Sequence, residues 1–150
     1  MTDTVLAINP AEFAHIPLFG SVSIFDVEDV IHACPLIRVS EGEAVLSAGQ
    51  ANANLYVVLL GALTVRLGAA DSPPVATLER GQLFGELSVL DNKPASAYVV
   101  AESPCRLLAI DRDSLWELFQ RSPYIANNML SILSKRIRTS NQTIEALQLG

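Results

Sequence analysis

The sequence predicts a mainly-β protein: an antiparallel double-stranded β-helix (a jelly roll or β-roll) with short helices before it and a long helix after it. Three observations carry that expectation. Seven short stretches, 36–39, 44–47, 54–60, 62–67, 75–78, 98–101 and 105–110, are rich in β-branched or aliphatic residues and separated by turn residues. Before and after them, apolar residues recur at helical spacing instead. The chain has 150 residues, 50% of them hydrophobic and only 17% charged, enough apolar material for one domain with its own core.

Residues 1–12 are weakly patterned and are expected to form a loose lead-in to a domain over 13–150. From Phe13 a short helix is expected, broken by Pro17 and Gly20. A second helix covers about 23–34, with Asp26 and Glu28 near its start and Pro35 at its end. The strands follow, with turns at Glu41-Gly42, Ala48-Gly49, Gly61, Gly68 and Arg80-Gly81. Residues 56–60 are continuously apolar, so this strand should be buried, and 69–74 should be a polar hairpin tip. Asp111 or Asp113 can cap a helix carrying Leu115, Trp116, Leu118 and Phe119. Ser122-Pro123 then reads as the start of the last helix, about 123–148. In it Leu130, Leu133, Ile137, Ser140, Ile144 and Leu147 alternate steps of three and four, an a/d seam with one polar member. The seam either pairs with a second copy, giving a homodimer, or packs back onto its own roll.

Composition excludes several functions. A net charge of -6 argues against a nucleic-acid surface. Lys135-Arg136-Ile137-Arg138 is the densest basic run, too little on a helix flank to make a DNA-reading module. Although the mean hydropathy is +0.34, no apolar run approaches the roughly 20 residues of a spanning helix. With no basic secretory start at Met1, Cys34 and Cys105 are expected to be reduced core thiols of a cytoplasmic protein. His15 and His32 both lie in the helical lead-in, so a metal-binding roll is not expected. No nucleophile has a recognisable base partner and no Walker loop is present, so the chain does not read as an enzyme.

The stretch Gly81-Gln82-Leu83-Phe84-Gly85-Glu86-Leu87-Ser88, followed by Lys93-Pro94-Ala95-Ser96-Ala97, carries the chemistry. A strand runs into Phe84-Gly85, and a short helix begins at Glu86. Free N–H groups at a helix start can cradle an anion. Gly85 lets the backbone approach a ligand, and Glu86 can accept hydrogen bonds from a hydroxyl.

In chain order, Gly42-Glu43-Ala44-Val45-Leu46, the strand 54–61 and the 81–97 stretch resemble the cyclic nucleotide-binding domain family, as in bacterial catabolite activator-type regulators and the regulatory subunits of cyclic-AMP-dependent kinase. The resemblance covers about 13–148. It implies a regulatory, ligand-sensing domain for cyclic AMP, cyclic GMP or a related anion, without a metal, relaying binding through the last helix to an output segment or partner. It implies a phosphate-binding cassette of Phe84, Gly85, Glu86, Leu87, Ser88, Ala95, Ser96 and Ala97, with Glu86 on the ribose 2′-hydroxyl. The family's arginine, which neutralises the phosphate, falls on Ala95. Loss of a buried charged partner costs roughly 2–5 kcal/mol, so the resemblance implies weaker binding or, alternatively, a degenerate member used for dimerisation or protein docking. Lys93, Arg80 and Arg106 are candidate replacement cations. The family's Thr-Ser purine contact falls on Ser140 and Asn141. Ser140 then reads either as a purine contact or as a polar layer in the seam.

Overall fold

A computed structural model describes residues 8–149. The expected lead-in lies outside these residues as far as position 7. Beyond it Ile8 is buried, and Asn9 caps α1 (Pro10–Ala14) through a reciprocal bond with Glu12. The first helix thus starts ahead of Phe13, and a 3-10 turn, Pro17–Phe19, follows it. Helix α2 is Ile24–Ala33, ending before Pro35 as expected.

Eight strands follow: β1 (Leu36–Val39), β2 (Ala44–Leu46), β3 (Asn54–Leu60), β4 (Leu63–Arg66), β5 (Pro74–Leu78), β6 (Leu83–Phe84), β7 (Tyr98–Ala101) and β8 (Cys105–Asp111). They form two antiparallel four-stranded sheets, ordered β1-β8-β3-β6 and β2-β7-β4-β5. Helix α3 (Glu86–Asp91) interrupts the strands between β6 and β7, and α4 (Arg112–Arg121) and α5 (Pro123–Leu149) close the chain.

The continuous apolar run in β3 has a structural cause. Alternate residues of a strand face opposite sides of its sheet. Tyr56 and Val58 join Leu46, Leu63, Phe84, Ala95, Val99 and Leu107 in the core between the sheets. Leu55, Val57 and Leu59 face the other way, into a second core with Phe19, Val27, Ile31, Leu115, Leu118, Ile125 and Met129 from the helices. The first sheet is therefore buried on both faces, which demands apolar residues at successive positions. The second sheet is covered on one face only, and β5 is exposed along most of its length.

Helix α5 is held at its start. Ile125 and Met129 enter the helical core, and Asn128 donates from Nδ2 to the carbonyls of Leu18 (3.0 Å) and Gly20 (2.8 Å). From Ile137 to the last turns it runs free of the roll, with Ile137, Ile144 and Leu147 exposed. Among the described residues, no helix is long and apolar enough to cross a membrane.

Candidate functional site

Strand β6 pairs with β3 so that Phe84 lies opposite Tyr56, and the two rings stack with centroids 5.1 Å apart. The chain then turns sharply. Gly85 sits in the left-handed region at φ +79° as the N-cap of α3. A Cβ there would meet the Asn54 carbonyl oxygen at 2.7 Å and Asn52 Nδ2 at 2.9 Å. Glycine is thus required first by packing against the loop before β3. Asn52 fixes that loop: its Oδ1 accepts from the Asn54 N–H at 3.1 Å, while Nδ2 donates to the carbonyls of Asn54 (2.9 Å) and Gly85 (3.4 Å).

Glu86, the first residue of α3, is only 6% exposed. A buried carboxylate needs a partner, and it has one. Arg136 of α5 donates from one terminal nitrogen to Glu86 Oε1 and from the other to the Leu83 carbonyl. One guanidinium therefore ties the long helix to both the strand and the helix that flank Gly85. Helix α3 is also fastened from α4, where Arg112 donates to the Val89 carbonyl at 2.8 Å and lies 4.9 Å from the Trp116 ring centroid.

The far end of the stretch read as a cassette, toward Ala95, is built differently. Asn92, at φ +60°, closes α3, and Lys93 donates its backbone N–H to Asp91 Oδ1 at 3.0 Å. Ala95 is then paired on both sides of its peptide, accepting from the Gly49 N–H and donating to the Gln50 carbonyl, both at 2.9 Å. Its methyl group is buried at 6% exposure. Against it lies a cavity of about 300 Å³ lined by Val45, Leu46, Ser47, the 50–54 loop, Tyr56 and Ala95. No lining side chain is charged.

These placements sort the residues read from the sequence. Ala95 lines the cavity, and Phe84 backs it through Tyr56. Gly85 and Glu86 form the turn beside it. Ser88 is buried in α3, whereas Leu87 and Ser96 are exposed and Ala97 is half-buried. Ser140 and Asn141 are exposed on α5 and do not line the cavity. None of the candidate replacement cations lines it either. Lys93 and Arg80 are exposed, and Arg106 is paired with Glu12 at 2.7 Å. Two residues that the sequence reading passed over take part. Arg136 sits inside the basic run treated there as a helix flank. Its signal was its spacing, four residues and one turn before Ser140, which puts both on one face. Asn52 gave no signal, because a polar residue in a loop is ordinary.

The two cysteines are free and buried. Cys34 donates its thiol to the Val30 carbonyl at 3.3 Å, and Cys105 to the Ser103 carbonyl at 3.2 Å. Burial raises both thiols above their ordinary range. Neither touches the cavity.

A two-sheet roll with a strand-to-helix turn beside a cavity, latched to a long terminal helix, defines the architecture of this class of domain. The family model for the cyclic nucleotide-binding domain matches residues 36–122. The chain belongs to the cyclic nucleotide-binding domain family. It is similar to a putative potassium channel protein of Rhodopseudomonas palustris, 30% identical over 86% of this chain and 31% of that protein. It is also similar to the cyclic AMP receptor protein of Thermus thermophilus, 29% identical over 87% of this chain and 62% of the relative. The chain thus spans less than two thirds of these curated relatives. Among solved structures, the Thermus thermophilus catabolite activator protein superposes with a TM-score of 0.78 at 28% identity, covering 88% of this chain and 63% of that one. A cyclic nucleotide-binding domain from Methylobacillus flagellatus gives 0.76 at 26% identity, covering 93% and 82%.

Proposed function

We propose that the chain is a regulatory ligand-sensing domain that couples occupancy of its cassette to the position of α5. The observation that carries this reading is the Arg136 bridge, which joins the long helix to Glu86 and to the Leu83 carbonyl. A ligand hydroxyl reaching Glu86 competes with that guanidinium or adds to it. Either way the ligand's contacts differ between two positions of α5, which is what a conformational response requires. The names of the relatives supply cyclic AMP as the first ligand to try, with cyclic GMP beside it. Leu133 of the expected seam packs against the chain's own helical core, while the exposed Leu130, Ile137, Ser140, Ile144 and Leu147 support a homodimer through α5. A cytoplasmic relay to an output segment or partner protein belongs to the same proposal.

Calorimetric titration with both cyclic nucleotides and their parent nucleosides, read together with amide exchange over residues 134–148, tests the coupling. The expected result is saturable binding of at least one compound and altered exchange in α5, the latter lost in Arg136→Gln. Binding that leaves α5 exchange unchanged would sink the relay.

Ala95 favours a second reading, a non-binding member that serves as a dimerisation or docking module. No heat with any compound at millimolar concentration would select it. Both readings use the seam, so Ile137→Asp should halve the mass seen by light scattering. An unchanged mass would remove the coiled-coil pairing from either.

A further inference from the structure

We infer that the molecule taken up beside Ala95 is an uncharged, hydrogen-bonding heterocycle of the nucleoside class, bound in preference to an anionic nucleotide. This rests on the ligand-sensing function proposed above and concerns the cavity on the Ala95 side of the turn, which neither Gly85 nor Glu86 lines.

The cavity wall is polar without being charged. Its polar side chains are Ser47, Gln50, Asn52, Asn54 and Tyr56. Asn52 is committed to holding the turn. The others keep bonding capacity. Among the described residues, the Ser47 hydroxyl, the exposed Gln50 carboxamide and Asn54 Oδ1 make no hydrogen bond within the protein, so a ligand there would replace water, while Asn54 Nδ2 reaches the Tyr56 hydroxyl only at 3.4 Å. A carboxamide offers one donor and one acceptor side by side, the complement of a nucleobase edge. The neighbouring hydroxyl and amide oxygen suit ribose hydroxyls.

Nothing on this wall neutralises a phosphate. Position 95 contributes a methyl group. Arg136 is committed to Glu86 and the Leu83 carbonyl. Helix α3 is six residues long, so its dipole is a weak substitute for a counter-charge. An anion brought here loses water without gaining a cation. A neutral ligand avoids that cost.

The test is a nuclear magnetic resonance titration of the wild-type chain with adenosine, guanosine, cytidine and uridine, each beside its own 3′,5′-cyclic phosphate. The inference expects at least one nucleoside to bind at least tenfold more tightly than its cyclic phosphate. Its amide shifts should centre on residues 47–54 and Ala95. In Ala95→Arg, which narrows the cavity and charges it, the order should reverse. A cyclic phosphate that binds wild type as tightly as its nucleoside overturns the neutral-ligand inference and leaves the sensing function standing. Nucleoside binding whose shifts lie away from 47–54 and Ala95 overturns the assignment of the cavity. No binding by either class overturns both.

Discussion

The two ends of the cassette are held equally well as backbone and very differently as chemistry. At Gly85 and Glu86, the turn is fixed by Asn52, by the packing of β3 and by a guanidinium from α5. At Ala95, the peptide is paired on both faces with the 49–50 loop, yet the side chain presents only a methyl group to the cavity. The cassette's shape therefore does not depend on a cation at position 95. Core packing and local hydrogen bonds specify it, and a charge at position 95 would be a separate addition. A chain can keep the first without the second.

The comparison can be broken most forcefully at the shaped end. Gly85→Ala should destabilise the domain by about 2–4 kcal/mol, from left-handed strain together with the displaced Asn54 carbonyl contact. Urea unfolding measures it, and a change below about 0.5 kcal/mol would mean that the turn relaxes freely. Next in size is the latch. Arg136→Gln leaves Glu86 buried without its charge partner, and the guanidinium is 36% exposed. Discounted for that solvent contact, the loss should be about 1–2 kcal/mol, and Glu86→Gln in the same background should recover part of it. Additive losses would show that the two side chains act independently. By contrast, Arg121 and Asp29 form an exposed pair between α4 and α2, with 37% and 64% of their side chains in solvent. Arg121→Gln should leave the melting temperature close to that of wild type.

The smallest effect is on pH. Both thiols have raised pKa values in the folded chain, caused chiefly by burial. Below the unfolded thiol value, about 8.5, both states hold the proton and stability is complete. Above it the unfolded chain binds fewer protons, so stability declines as pH climbs towards the folded values. Urea midpoints should therefore fall modestly between pH 8 and pH 10, and less so in a Cys34→Ala, Cys105→Ala double variant. An equal fall in both proteins would assign the effect to other groups.

Most of the fold was legible because its pattern is local. Strands β1, β3 and β7 have the expected bounds, and the turn glycines with positive φ at 42, 49, 61, 68 and 81 punctuate the roll where the sequence places them. Pro35 and Pro123 mark helix boundaries for the same reason. The site was half legible. Gly85, Glu86 and the bare position at Ala95 are readable from one contiguous stretch. Arg136 is not, since its role depends on α5 folding back across β6 and α3, a contact spanning 50 residues to Glu86. Asn52 is hidden similarly, because its carboxamide acts across 33 residues on Gly85. The uncharged cavity wall is assembled from β2, a loop, β3 and Ala95, and no single segment displays it.

The claim that shape and charge are separable in this cassette has one direct measurement. Cyclic AMP is titrated calorimetrically into wild type and Ala95→Arg under the same conditions. A preserved cassette that lacks only its counter-charge predicts tighter binding by the variant, by about 30-fold or more, the affinity equivalent of the roughly 2–5 kcal/mol such a charge partner carries. Equal affinities in the two proteins, with the variant folded, would contradict it.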